Sequence, residues 1–217
     1  MGVTPYSEDN RKVQWNAAPA GLEAFKYWID MFDTFKIGDQ NFNQGYETAF
    51  QAGKAGMIID GSFAIETTKK STNADWGVAT IPTKEEGGLE SNFGSYWVHG
   101  IAKGVTGKKL EASEKFLKFL TSEETQKYWL SAVGELPAAA SFADDQSIIG
   151  DPIYGPFVKG LNAAHATYFV NEKDERQLII DQTNEIFLNH APVDKVFNDL
   201  VGKQQAIRDE YFKQHNN

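Results

Sequence analysis

The sequence predicts an α/β fold, because short apolar runs of strand length alternate with longer segments of helical periodicity. The clearest alternation lies in residues 49–63, where a helix end, a glycine-rich turn, the apolar run Met57-Ile58-Ile59 and the turn Asp60-Gly61 follow one another. A second apolar run, 75–81, stops at Pro82, which has no N–H to continue a strand ladder. Since ligands sit beyond the carboxyl ends of strands in open α/β sheets, the turn after Ile59 is predicted to face a binding site.

The other elements follow from apolar spacing and from end signals along the chain. The predicted strands are 55–59, 75–81 and 95–102. The predicted helices are 20–36, 43–52, 62–70, 108–120, 122–133, 151–164, 174–189 and 192–213. Gly38 is predicted to end the first helix, Ser62 to cap the third, and Thr121 or Ser122 to cap the fifth. Asp151 before Pro152 predicts another helix start.

The composition is that of an ordinary globular chain and disfavours several functions. A formal charge of −9 argues against a nucleic-acid partner or an anionic lipid surface. Zero cysteines exclude disulfides and thiolate metal sites within these residues. No apolar run approaches the ~20 residues of a transmembrane helix, so no membrane span is predicted. The aromatic content of 13% is unusual and suits a carbohydrate binder, because aromatic faces stack on sugar rings.

The sequence shows no catalytic or metal-binding pattern, so no catalytic residue, metal or cofactor is predicted. The four histidines are scattered without ligand spacing, and Gly53-Lys54 lacks the other residues of a phosphate loop. Adjacent carboxylates are interpreted as caps and solvated surface, and they occur at Glu85-Glu86, Glu123-Glu124 and Asp144-Asp145. A glycan-active enzyme, with a carboxylate pair that only the fold brings together, stays open as the alternative.

Five segments in series resemble the extracellular solute-binding proteins of carbohydrate ABC importers, the family that includes maltodextrin-binding protein. The segments are AFQAGKAGMIIDGSF (49–63), WGVATIP (76–82), GSYWVHGI (94–101), ASEKFLKFLTSEETQ (112–126) and GELPA (134–138). Each pattern alone is weak, but together they cover most of the chain in the family's order. The resemblance implies a periplasmic-binding-protein-like fold of type II and a binding function rather than an enzymatic one.

The resemblance also implies an arrangement in two lobes. Residues 1–83 and 138–217 would belong to the second lobe, and 84–137 would return to the first lobe. Because members of the family are longer, the chain is interpreted as a C-terminal portion. It begins without a basic segment and apolar core, so no targeting peptide is predicted here. The implied location is extracellular or periplasmic, with anchoring through a lipoprotein signal upstream of these residues.

The resemblance assigns aromatic residues to a sugar cleft. Phe63 stands where the family places a stacking aromatic, usually tryptophan, and the competing interpretation is a core residue of a first helical turn. Trp97 matches the tryptophan of the family's glycine-glycine-tryptophan pattern, with Ser95 and Tyr96 in place of the glycines. If this segment is a strand, Tyr96 and Trp97 point to opposite faces, so at most one meets ligand, and we favour Trp97.

Four further residues are predicted to line the cleft. Asp60 would accept sugar hydroxyls, although Asp before Gly is also an ordinary turn residue. Glu135 lies beside the predicted crossing at Pro137. Tyr168 would line a wall, and Arg176 would join it unless a surface salt bridge occupies its side chain.

The predicted function is therefore capture of a sugar or oligosaccharide between closing lobes, followed by delivery to the permease subunits of the transporter. A related protein for a non-sugar such as polyamine, iron or phosphonate is a third possibility. Micromolar binding needs about 8 kcal/mol, whereas one buried aromatic contributes about 1.5–3 kcal/mol. The 217 residues alone are therefore predicted to show no calorimetrically measurable sugar affinity.

Overall fold

A computed structural model describes residues 2–38, 45–71 and 74–215. The two longest helices are α8 (Glu172–Phe187) and α9 (Val193–His215). The other helices are α1 (Pro19–Asp33), α2 (Tyr46–Gln51), α3 (Ile65–Ser71), α4 (Gly107–Leu120), α5 (Glu123–Val133), α6 (Gln146–Ile149) and α7 (Gly155–Gly160). The strands are β1 (Asn92–Phe93) and β2 (Ala164–His165). The chain divides into two compact units, the first with residues 1–42 and 167–217 and the second with residues 43–166.

The first unit is built from α1, α8 and α9. Its core consists of apolar residues at helical spacing from these three helices, namely Phe25, Ile29, Ile186, Val196, Phe197, Leu200 and Val201. The rings of Phe25 and Phe197 meet with centroids 5.4 Å apart, which joins α1 to α9. An antiparallel bridge between Tyr6 and Val13 closes the segment before α1. The apolar spacing predicted an apolar face on each of these three helices.

The second unit contains the shorter helices and a two-stranded sheet. Strands β1 and β2 are parallel, with Asn92 opposite Ala164 and Phe93 opposite His165. A small apolar core consists of Phe142, Ile148 of α6 and Val158 of α7. Helices α4 and α5 follow one another, and neither buries a residue completely. Among the described residues, no helix is long and apolar enough to cross a membrane.

The three predicted strands do not form. Residues 55–59, 75–81 and 95–102 are neither helix nor strand, and β1 ends before the third of them begins. Met57 and Ile59, predicted to be buried strand residues, are exposed. The reason is that a strand needs a hydrogen-bonded neighbour, and within the described ranges only β1 with β2 and the Tyr6–Val13 bridge supply such pairing.

The helix ends agree with the predictions in part. Ser122 caps α5, because its Oγ accepts the N–H of Thr125 at 3.3 Å. The prediction for Gly38 was wrong, since α1 ends at Asp33 and the Asp30 carbonyl accepts the N–H groups of Thr34 and Phe35.

The prediction for Ser62 was also wrong, because Gly61 occupies the cap position and no side chain caps the turn. The helix predicted over 151–164 is broken into a turn, α7, a 3₁₀ turn and β2. The Asp151 carboxylate accepts the N–H groups of Ile153 and Tyr154 in the turn before α7. Residues 43 and 44 of the predicted second helix lie outside the described residues.

Candidate functional site

The turn Asp60-Gly61-Ser62-Phe63 leads into α3 through a 3₁₀ turn over Ser62–Ala64. The Phe63 side chain is 60% exposed, so it is not a core residue of the described structure. Its ring folds back over Gly61, where an added Cβ would lie 2.2 Å from Phe63 Cε1. Glycine at position 61 therefore makes room for the ring, and the turn presents an aromatic face to solvent.

A shallow groove of about 90 Å³ lies beside Phe63 between α2 and α3. Its lining consists of one aromatic ring, two hydroxyl groups, an amide and a carboxylate, from Phe63, Ala64, Thr67, Thr68, Glu47 and Gln51. An aromatic face with hydroxyl and amide groups around it is suited to a sugar ring and its hydroxyls. Pockets for complete small-molecule ligands are about 300–1,000 Å³, so this groove has the size of one part of a site.

Asp60 is half-buried beside this groove and is incompletely satisfied. Its Oδ1 accepts the N–H of Gly61 at 2.7 Å, whereas its Oδ2 is buried without a hydrogen-bond partner among the described residues. Burial raises the pKa of Asp60, and the negative charge of Glu47 raises it further. Burial also raises the pKa of Tyr46, with the charges of Asp60 and Glu47 acting in the same direction. A ligand hydroxyl could donate to the unpartnered oxygen.

The connection that carries Glu135 lies against the start of α3. Gly134 ends α5 with a φ of +79°, and its carbonyl accepts a hydrogen bond from the Tyr154 hydroxyl at 2.9 Å. A Cβ at Gly134 would come within 2.2 Å of Glu66 Cγ, in the first turn of α3. Glu135 accepts a hydrogen bond from Trp129 Nε1 at 3.2 Å. Glu135 therefore lies near the first turn of α3, the helix that follows the turn of Phe63.

Tyr96 and Trp97 lie on a segment without regular secondary structure. Their side chains are 71% and 90% exposed. The premise that they point to opposite faces of a strand was wrong, because no strand forms over 95–102. Both rings are therefore presented to solvent, and a ligand role for either stays a prediction.

Tyr168 and Arg176 belong to the first unit. The Tyr168 side chain is half exposed, and its carbonyl accepts a hydrogen bond from Arg208 Nη2. Arg176 forms a surface salt bridge with Glu172, 2.8 Å between Nε and Oε1, and its guanidinium lies 5.6 Å from the centre of the Phe169 ring. The structure therefore shows the salt bridge that competes with a ligand role for Arg176.

Five of the seven candidate residues thus fall into two groups. Asp60, Phe63 and Glu135 gather around the start of α3 in the second unit, and Tyr168 and Arg176 lie close together in the first. Sequence reasoning missed the groove residues Glu47 and Gln51 on α2 and the two threonines on α3. Glu47 and Gln51 are four residues apart and therefore share a helix face, which was the signal that could have found them. Within ranges 2–38, 45–71 and 74–215, no cluster of histidine and carboxylate groups could hold a metal ion.

Comparison with known proteins gives one family. A family model described as bacterial extracellular solute-binding protein matches residues 4–156, more than half of the chain. A maltooligosaccharide ABC transporter solute-binding lipoprotein of Streptococcus pneumoniae (strain ATCC BAA-255 / R6) is 34% identical over 131 residues, which are 59% of this chain and 30% of that protein. The galactooligosaccharide-binding protein of Bacillus subtilis (strain 168) is 28% identical over 125 residues, 57% of this chain and 29% of that protein.

Solved structures show the same fold. The sugar-binding protein MalE from Xanthomonas citri superposes with a TM-score of 0.75 at 17% identity, covering 99% of this chain and 56% of that one. Maltose-bound MalE3 of T. maritima gives a TM-score of 0.72 at 19% identity, covering 94% and 54%. The chain spans 30% of the Streptococcus pneumoniae relative and about half of these structures. The chain therefore belongs to the bacterial extracellular solute-binding protein family and has the maltose-binding-protein-like fold of type II periplasmic binding proteins.

Proposed function

We propose that this chain is part of the substrate-binding component of an ABC importer that takes up a sugar or an oligosaccharide. The observation that carries the proposal is the exposed Phe63 ring beside a groove of hydroxyl, amide and carboxylate groups. The names of the relatives support it, because two of them name oligosaccharides as the bound or transported ligand.

In the proposed mechanism, Phe63 stacks on the apolar face of a sugar ring and the free oxygen of Asp60 accepts a hydroxyl. Tyr96 and Trp97 extend the aromatic surface, Glu135 adds a second carboxylate, and Tyr168 and Arg176 are further ligand-binding candidates. Residues 1–83 and 138–217 form one lobe and 84–137 contribute to the other, as the family resemblance implies. Closure of the lobes buries the ligand, and the closed form delivers it to the permease subunits.

The proposal includes neither catalysis nor a cofactor. The protein works outside the cytoplasmic membrane, and membrane anchoring is proposed from the lipoproteins among its relatives. A glycan-active enzyme is the alternative class, and a release assay with chromogenic glycosides separates the two. Glycoside hydrolysis by the wild type that is lost in Asp60→Asn would favour the enzyme class.

The test is calorimetric titration of the complete product of the gene that encodes this chain. The titrants are a panel of malto- and galacto-oligosaccharides, with spermidine and ferric citrate as non-sugar ligands. Binding of at least one sugar is expected, and Phe63→Ala should weaken it about ten- to hundredfold, since a buried aromatic is worth about 1.5–3 kcal/mol.

Phe119→Ala is the matched control, because Phe119 has the same side chain and is 61% exposed on α4. Tyr96→Ala is tested in the same titrations. Its matched control is Tyr128→Ala, since Tyr128 and Tyr96 are 70% and 71% exposed. Equal loss of affinity in Phe63→Ala and Phe119→Ala would remove the special role of the Phe63 turn. Binding of spermidine or ferric citrate without any sugar would refute the proposed ligand class.

A further inference from the structure

A buried polar cluster lies inside the first unit. It consists of Tyr6, Glu175, Gln204 and Arg208, called here the buried clamp. The side chains of Glu175 and Arg208 are 0% exposed, and Tyr6 and Gln204 are also buried. Since charged side chains are almost never fully buried without partners, the contacts of this cluster indicate what it does.

Inside the buried clamp, the side chains bind one another, although Arg208 Nε has no hydrogen-bond partner among the described residues. Gln204 Nε2 donates to the Tyr6 hydroxyl and to Glu175 Oε2, both at 2.8 Å. The Arg208 guanidinium lies 3.6 Å from Glu175 Oε2 and 3.6 Å from the centre of the Tyr6 ring. The charges of Glu175 and Arg208 therefore compensate each other in a space that water does not reach.

The two charged side chains also hold backbone that has no regular structure. Glu175 Oε1 accepts the N–H groups of Val170 at 2.9 Å and Asn171 at 3.5 Å. Arg208 Nη2 donates to the Tyr168 carbonyl, and Nη1 donates to the Asn10 carbonyl at 2.6 Å. Backbone atoms on either side of Phe169 are thus bound by side chains from two different helices.

A buried ion pair is weak evidence for stability, because well-packed apolar residues of similar volume often stabilise a core equally well. Apolar residues could not satisfy the backbone groups of 168–171, which lack partners in a helix or a sheet. The planar guanidinium has several donors in fixed directions, so it can bind Glu175 and two separate carbonyls at once. In addition to packing, the buried clamp therefore contributes hydrogen bonds in fixed directions to this segment.

We infer that Glu175 and Arg208 are positioning residues that fix the segment 168–171 and thereby the place of Tyr168 in the sugar site. The link to sugar binding rests on the proposed function, whereas the hold on the segment does not. Arg176 follows Glu175 on α8, and its guanidinium lies against the Phe169 ring. The hydrogen bonds that fix the segment 168–171 therefore position the neighbours of both candidate residues of the first unit, Tyr168 and Arg176.

For each variant, the measurement is made at a contact that the replaced side chain does not itself form. In Arg208→Lys the charge is kept but the fork of donors is lost, and the readout is hydrogen exchange at the amides of Val170 and Asn171, which Glu175 binds. In Glu175→Gln the side-chain volume is kept, and the readout is the fluorine resonance of 3-fluorotyrosine at Tyr168, assigned with Tyr168→Phe.

Val201→Ala is the matched control, because Val201 is a core residue of α9 that belongs to the same unit and not to the buried clamp. At equal free energy of unfolding, Arg208→Lys should raise the exchange of both amides about ten- to hundredfold above the control, the factor for one charge-assisted hydrogen bond. Glu175→Gln should shift or broaden the Tyr168 resonance and leave that of Tyr128 unchanged.

Exchange that rises only as much as in Val201→Ala, together with an unmoved Tyr168 resonance, would show a merely structural role and overturn the inference. If Arg208→Lys does not fold, the fluorine measurement on Glu175→Gln decides alone. A calorimetric arm on the complete gene product separates this result from the proposed function. Wild-type protein that binds none of the sugars refutes the proposed function, and the exchange data still decide the role of the buried clamp.

If the wild type binds a sugar, Arg208→Lys should weaken binding at least about fivefold at a temperature where Val201→Ala binds normally. This factor corresponds to about 1 kcal/mol. Equal affinities of wild type and Arg208→Lys would overturn the link between the buried clamp and the site. An equal loss in Val201→Ala would do the same, because the effect would then follow stability alone.

Discussion

Replacing Gly134 with alanine tests how the Glu135 connection is held against α3. Gly134 is buried and has a φ of +79°, in the left-handed region that residues with a Cβ adopt with strain. The new Cβ would lie 2.2 Å from Glu66 Cγ and 2.8 Å from Glu66 Cδ and Oε1. Because the Tyr154 hydroxyl holds the Gly134 carbonyl at 2.9 Å, Glu66 has to move rather than the backbone.

The expected loss has two parts. The left-handed conformation costs about 1–2 kcal/mol for a residue with a Cβ. Moving Glu66 breaks its 2.8 Å ion pair with Lys69, and this exposed pair is worth at most about 1 kcal/mol. Gly134→Ala should therefore lower the free energy of unfolding by about 2 kcal/mol.

The assay is urea unfolding followed by circular dichroism and by tryptophan fluorescence, for Gly134→Ala, Glu66→Ala and the double variant. In the Glu66→Ala background, only the conformational part of the loss should remain, so the coupling energy is about 1 kcal/mol. Gly87→Ala is the matched control, because Gly87 has a φ of +70° and nothing within 4 Å of its added Cβ. The same loss for Gly134→Ala in both backgrounds would refute the contact with Glu66.

Three further changes have expected outcomes. Phe197→Ala should destabilise the first unit by about 3–5 kcal/mol in thermal unfolding, because its ring is buried in the core. Ser122→Ala should reduce stability by about 1 kcal/mol through the lost cap of α5, whereas Ser131→Ala, at an exposed position in the last turn of α5, should not. Asp60→Asn should raise the unfolding midpoint at pH 7, because burial raises the folded pKa of Asp60 above its usual 3.8. The gain should disappear as the pH falls through the raised folded pKa towards 3.8, where wild-type Asp60 is also neutral; a constant gain would contradict this cause.

The helices could be predicted from the sequence because a helix satisfies most of its own backbone hydrogen bonds. Apolar residues at spacings of three and four predicted α1, α4, α5, α8 and α9 to within a few residues at each end. The Ser122 cap was equally local, since its oxygen and the amide it binds are three residues apart. Errors arose at Gly38 and Ser62, where backbone geometry rather than residue type decides the helix end.

Strand predictions failed for the opposite reason. The apolar runs 55–59 and 95–102 have the composition of strands, but strand formation depends on a second segment that the local pattern does not contain. The sheet that does form pairs residues 92–93 with 164–165, which are far apart in the sequence. Nothing in the local composition of either dipeptide indicated the pairing.

The buried clamp could have been found from the sequence in part. Phe197, Leu200, Gln204 and Arg208 continue one stripe along α9, and a polar residue within an apolar stripe indicates a buried polar contact. Its partner Glu175 lies on another helix, and no spacing connects it to Tyr6 or Arg208. Sequence reasoning therefore selected the exposed Arg176 and overlooked the buried residue beside it.

Exposure of an aromatic ring does not identify a sugar site by itself, since Phe119 is as exposed as Phe63. What distinguishes Phe63 is its surroundings: a glycine that lets the ring fold back, two threonine hydroxyls on the next turn, and the buried, unpartnered oxygen of Asp60. An unsatisfied buried acceptor is unfavourable unless a donor arrives, and a sugar hydroxyl is such a donor. The affinity of this turn for sugars therefore depends on polar groups that the sequence motif does not include, which is why Phe63 and Phe119 should differ in the binding test.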